Sequence, residues 1–144
     1  MQPDETQALI DGTATGKTLV LDAPLSFWGG LDPETGCIID RRHPQCGLCV
    51  TGRVLVMPAG RGSSSSSNVL AESIRLGTSP VAIVLRYADE IIVLGAVVAE
   101  FLYGRVIPIL RVDESSFRSL RDGLTVTVEG AVLSIDENAE AGSS

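Results

Sequence analysis

One segment constrains the chain more than any other. Pro58-Ala59-Gly60-Arg61-Gly62 runs straight into five consecutive serines, Ser63 to Ser67. Before it stands a β-branched, apolar run, Arg53 to Met57, that reads as a buried strand stopped by Pro58. After it, Val69, Leu70, Ile74 and Leu76 give a partial 3.6-residue period over Ser66 to Leu76, closed by Gly77. A serine run is usually a flexible linker. Five serines clamped between two apolar elements make a tight strand–turn–helix connection instead. Gly60 and Gly62 let the backbone turn sharply and approach a ligand. The first N–H groups of a helix lack partners and carry partial positive charge. Arg61 adds a guanidinium fork that matches a carboxylate or phosphate. One serine suffices for an N-cap. Five, with an arginine and two glycines, point to an anion site holding a serine nucleophile or base.

The rest of the chain alternates strand and helix. Strands are expected at Lys17–Leu21, Cys37–Asp40, Val81–Leu85 and Ile107–Val112, with Leu124–Glu129 and Ala131–Ile135 as a pair. Asp89 or Glu90 starts a second helix that runs to Tyr103 and is closed by Gly104. Glu114–Leu120 reads as a helical turn, and Ser26–Gly36 as a Gly- and Pro-rich loop. The sum is one α/β domain over residues 1–135, with about seven strands and two main helices. The small, acidic tail at 136–144 is expected to fray.

Composition excludes several roles. Eighteen acidic residues against 11 basic ones give a net charge of −7, and Lys17 is the only lysine. A nucleic-acid binder needs a basic face, and an anionic membrane would repel this chain. Aromatic residues make up 4%, too few for a base-stacking platform. The apolar stretch Val81–Tyr103 is interrupted by Arg86, Asp89, Glu90 and Glu100, so it does not read as a membrane span. The N-terminus lacks a basic export region, and three cysteines fit a reducing cytoplasm better than a disulfide scaffold.

Other motifs are weaker. Gly12-Thr-Ala-Thr-Gly16-Lys17-Thr18 imitates a nucleotide P-loop. It is one residue short, and it leads into a strand where a phosphate cradle needs a helix. Cys37, His43, Cys46 and Cys49 could be metal ligands, yet their spacings are not those of structural zinc, and Cys37 and Cys49 read better as small apolar packing groups. His43 is the only histidine, and no G-x-S-x-G elbow surrounds Ser63. Phe27 and Trp28 sit side by side on a glycine-rich loop with Ser26 and Gly29. They are either a partner surface or a plug over one end of the core.

A serine hydroxyl acts as a base only when its alkoxide is stabilised, which helix N–H groups and Arg61 would do in a closed site. It would then remove a proton α to a carboxylate while a metal took the leaving hydroxide, which is dehydration. This chain shows no convincing metal cluster, so the chemistry itself implies a partner chain.

Four motifs in order, PLSFWGGLDPETG (24–36), IIDRRHP (38–44), GRVLVMPAGRGSSSSS (52–67) and LGAVVAEFLYG (94–104), resemble the small swivelling domain of aconitase X. The resemblance covers roughly Gly12 to Val112. It implies a swivelling β/β/α, barrel-like fold similar to the mobile domain of aconitase. It also implies an iron–sulfur cluster held by a large catalytic subunit, with the active site in the cleft between the two. The serine after the G-x-G turn would be the base, which is Ser63 here, with Ser64 the nearest alternative. Arg61, Gly62, Ser64 and Ser65 would bind substrate, and Ser26, Phe27, Trp28 and Gly29 would form the partner-facing loop. Arg61 has no firm family counterpart, because archaeal relatives also carry lysine there. Bacterial members resemble cis-3-hydroxy-L-proline dehydratases, and archaeal members resemble dehydratases of 5-phosphomevalonate. Trp28 after Phe27 and the unbroken serine run look bacterial. Two other roles compete: a carrier module phosphorylated on His43, and a non-catalytic interaction protein docking through Phe27 and Trp28.

Overall fold

The computed structural model describes residues 6–60 and 65–136. The described elements are β1 (Gln7–Ile10), β2 (Thr13–Val20), a short turn α1 (Phe27–Gly30), β3 (Leu31–Asp32), β4 (Cys37–Ile38), β5 (Val54–Met57) and α2 (Ser65–Leu76). They continue with β6 (Ala82–Leu85), α3 (Glu90–Tyr103), β7 (Ile109–Arg111), α4 (Glu114–Ser119), β8 (Thr125–Glu129) and β9 (Val132–Ile135).

Among the described residues, seven strands form one curled sheet in the order β1-β7-β6-β5-β2-β8-β9. The centre, β2-β5-β6-β7, is parallel; α2 and α3 return the chain from β5 to β6 and from β6 to β7, and the α1–β4 segment returns it from β2 to β5. β2 serves two neighbours: Thr13–Lys17 pair antiparallel with β8, and Thr18–Val20 pair parallel with β5. The helix-bearing and β-only halves therefore join along one strand.

The central strands are apolar on both faces, as parallel strands covered on both sides must be. On β5, Leu55 and Met57 pack beneath α2 and α3, while Val54 and Val56 face the opposite layer with Leu120, Val126 and Val128. β6 divides in the same way, with Ile83 and Leu85 on one side and Ala82 and Val84 on the other. α2 lies close against α3 because residue 95 is glycine: a Cβ there would stand 2.8 Å from the Ser67 carbonyl oxygen. Asp89 caps α3, its carboxylate accepting from the Ile91 and Ile92 amides, and Gly104 ends the helix in the left-handed region. Leu94, Val97 and Phe101 face outward.

Three expectations are corrected. A first strand, β1, pairs antiparallel with β7, and nothing in its short, half-exposed sequence announced it. Ser26–Gly36 is a loop only in part, since Leu31–Asp32 pair with Cys37–Ile38 as a two-stranded ribbon. The cysteines are not all unpaired. The chain folds back through Gly47 N–H to Ile38 O and Ile38 N–H to Leu48 O, which sets Cys37 opposite Cys49, and the two are joined as a disulfide. Cys46 is free and exposed. The cysteine count therefore carries no argument about compartment. Among the described residues, no helix is long and apolar enough to cross a membrane.

Candidate functional site

Parallel β-α units send every helix N-terminus to the C-terminal ends of the strands. Here β2, β5 and β6 all open at that end, into the segments beginning at Leu21, Pro58 and Arg86. Leu25 bridges to Gly60, so the first two segments run side by side. The third is pinned there by the Arg86 and Tyr87 amides, which both donate to the Pro58 carbonyl. Space at residue 60 is tight. A Cβ would meet the Ile92 Cδ1 at 2.5 Å and the Asp89 carboxylate at 2.7 Å, both at the start of α3.

The Phe27–Gly30 turn has type II dihedrals, φ −71° and ψ 117° at Trp28, then φ 75° and ψ −11° at Gly29. Such a turn requires glycine at its third position, which explains Gly29. The two aromatics part company. Phe27 is 1% exposed and plugs the core, whereas Trp28, at the corner of the turn, is 62% exposed. Ser26 Oγ donates to the Trp28 carbonyl at 3.0 Å, and the Trp28 amide donates to Ser66 Oγ at 3.1 Å. The loop is thereby tied to the N-terminus of α2.

Beside this loop lies a cleft of about 320 Å³, walled by Ser26, Trp28 and Gly29 on one side and by Asp40, Arg42 and His43 on the other. The Arg42 backbone amide, donating to Asp40 Oδ1, holds the Asp40 carboxyl below its ordinary range, and the Arg42 guanidinium acts in the same direction. The two side chains form an ion pair at the cleft wall, Arg42 Nε 3.6 Å from Asp40 Oδ1. His43 is 7% exposed, and both ring nitrogens are engaged. Nδ1 accepts from the Gln45 amide at 3.0 Å, which places the proton on Nε2, 3.0 Å from the Ala23 carbonyl. This histidine braces the wall and has no lone pair left for a base or a phosphoryl group.

Ser65 opens α2, and Ser66 and Ser67 are buried at its first turn. Arg61, Gly62, Ser63 and Ser64 lie outside the described residues. The loop Ser26–Gly29 reaches the helix start, with Phe27 as the core plug and Trp28 at the surface, so each of the two readings holds for one of the aromatics. Asp40 and Arg42 were missed as cleft residues, although IIDRRHP carried them in plain view. The part played by Ser66 was hidden by the run it sits in. Cys37 and Cys49 are bonded to each other, which removes them as metal ligands. Among the described residues, no group of three or more His, Cys, Asp or Glu side chains is placed to hold a metal ion. An iron–sulfur cluster thus has no fitting ligand set among the described residues.

Fold and site together define an α/β domain with a small polar cleft beside its strand C-terminal ends. Hydroxyls, helix N-termini and one ion of each sign gather at a single end of the sheet. The aconitase X swivel domain profile matches residues 4–135, and the chain belongs to that family. It is 49% identical over 108 residues to a cis-3-hydroxy-L-proline dehydratase of Pseudomonas aeruginosa, covering 75% of this chain and 19% of that protein. A dehydratase of the same name from Hypocrea jecorina is covered for 22% of its length, so the chain spans about a fifth of these two relatives. It is also 36% identical over 121 residues to the phosphomevalonate dehydratase small subunit of Methanosarcina acetivorans, covering 83% of this chain and 80% of that one. Among solved structures, aconitase X from Thermococcus kodakaraensis superposes with a TM-score of 0.81 at 30% identity, over 92% of this chain and 96% of that one.

Proposed function

We propose that this chain is the small swivelling half of an aconitase X-type hydro-lyase, active in the cytoplasm with a large catalytic subunit, and that its substrate is cis-3-hydroxy-L-proline. Ser63, between Gly60 and Ser65, takes the proton from C2 as the hydroxyl leaves C3 as water. The resulting enamine tautomerises to 1-pyrroline-2-carboxylate. Arg61, Gly62, Ser64 and Ser65 hold the carboxylate. The large subunit supplies the iron–sulfur cluster, whose chemistry is to accept the leaving hydroxide. What this chain does is hold and move the proton and wall off the substrate.

The observation that carries the substrate reading is the cleft beside Trp28. Asp40 and Arg42 line it as an ion pair, Arg42 Nε 3.6 Å from Asp40 Oδ1. A wall whose one guanidinium is already balanced by a carboxylate has no net positive charge, which suits a zwitterionic ring better than a phosphate dianion. The relative from Pseudomonas aeruginosa supports the same substrate. A second reading, the small subunit of a phosphomevalonate dehydratase, is favoured by the match in length to the archaeal subunits. A carrier role is opposed by the two occupied nitrogens of His43. Co-expression with the large subunit, followed by dehydration assays on both substrates, tests the reading. Turnover of hydroxyproline that collapses in Ser63→Ala, with the complex intact, is the expected result. Turnover of phosphomevalonate alone would overturn the substrate, and an active Ser63→Ala complex would overturn the base.

A further inference from the structure

The amide at the second position of a β-turn has no partner inside the turn. Trp28 occupies that position in the type II turn Phe27–Gly30. Its side chain is exposed, so water is near, yet its amide donates to a side chain 38 residues away, the buried Ser66 Oγ. The same oxygen lies 3.4 Å from Ser26 Oγ, and Ser26 in turn donates to the Trp28 carbonyl. Both backbone polar groups of Trp28 are therefore held, one by each serine. Ser66 stands in the first turn of α2, which Gly95 allows to lie hard against α3. The hydroxyl thus fastens the loop to a helix start that is itself packed against α3.

We propose that Ser66 is a positioning residue: its hydroxyl latches the Trp28 turn to α2, so that the indole wall of the cleft and the serine-bearing helix start move as one body. Ser66, the fourth of the five serines, then has the task of building the wall. The part of this proposal that concerns substrate rests on the cleft being the active site, whereas the latch itself does not.

Trp28 is the only tryptophan, so it reports on its own loop. In the full-length wild-type chain, amide hydrogen exchange at Trp28 should be protected despite its exposed side chain. In Ser66→Ala that exchange should accelerate about tenfold, the effect of losing one hydrogen bond. Acrylamide quenching of Trp28 fluorescence should rise in parallel. Ser73→Ala is the control. Its hydroxyl is equally buried on α2 but bonds only to the Leu70 carbonyl, and Trp28 should not respond. In the complex with the large subunit, Ser66→Ala should raise KM about tenfold with kcat within twofold, as a loosened binding wall requires. An unprotected Trp28 amide in the wild type overturns the latch even if the variant fails to fold. So does an equal response to Ser73→Ala. An unchanged KM overturns its role in binding. A complex inactive on both substrates overturns the proposed function and leaves the exchange result to judge the latch alone.

Discussion

The two ends of the parallel sheet are built from similar residues and do different things. The far end, at the strand N-termini, has the larger cleft, about 450 Å³ against about 320 Å³, and it too is lined by hydroxyls and an arginine. There the polar groups serve the fold. Thr15 Oγ1 bonds to Thr127 Oγ1, Thr51 donates to the Thr78 carbonyl, and Ser79 to the Pro80 carbonyl. Arg105 donates to the Ile74 carbonyl, at the C-terminal end of α2. At the site end, Ser26 and Ser66 hold a turn whose aromatic residue stands out toward solvent, and the Asp40–Arg42 ion pair lines the cleft. The difference follows from chain direction. α2 and α3 end at the far side in carbonyls, closed by Gly77 and Gly104, and begin at the site side in N–H donors. Cleft volume does not separate the two ends. The sign of the helix termini does.

The sharpest way to break this contrast is to mutate both ends in the reconstituted complex. Ser63→Ala should lower turnover by about 10²- to 10⁴-fold, the range for removal of a general base. Arg105→Ala should leave turnover within twofold, and equal losses would mean that the ends are not distinct. Next in size are changes to the scaffold of the site end. Gly95→Ala drives a methyl group against the Ser67 carbonyl and should cost about 1–3 kcal/mol in a denaturant melt, the usual range for overpacking. The paired change Cys37→Ser with Cys49→Ser opens the 12-residue separation between them and should cost about 2–3 kcal/mol on the chain-entropy scale. It should also loosen the Asp40–His43 wall while leaving the far end intact by hydrogen exchange. The smallest effect is electrostatic. Arg86 and Arg118 bond to the Glu114 carboxylate and hold its pKa below the ordinary value. A depressed carboxylate pKa adds stability that is present above the unfolded-state pKa and lost as pH falls through the folded one. Wild-type stability should therefore decline more steeply than that of Glu114→Gln below about pH 4. Parallel acid titrations of the two proteins would contradict this.

Much of the scaffold was legible in the chain. Arg53–Met57 and Val81–Leu85 read as buried strands because short, β-branched apolar runs suit a strand covered on both faces, and the strands form at Val54–Met57 and Ala82–Leu85. Asp89 or Glu90 marked the start of α3 and Gly104 its end, and the structure makes Asp89 the cap. β1 was not legible, since its strand character comes from the open edge of β7 and not from its own pattern. The fates of Phe27 and Trp28 were equally closed to sequence reasoning, because a turn corner separates two adjacent side chains by direction and not by type.

The sequence alone marked the buried central strands, the closing glycine of α3 and the serine run leading into α2. These are local matters of period, capping and backbone freedom. Tertiary structure alone decided that Cys37 meets Cys49, that His43 spends both nitrogens on the wall, and that Ser66 reaches across 38 residues to Trp28. Each of these depends on which loops the curled sheet brings to one end. Contacts between distant segments are set by packing, and no local pattern encodes them.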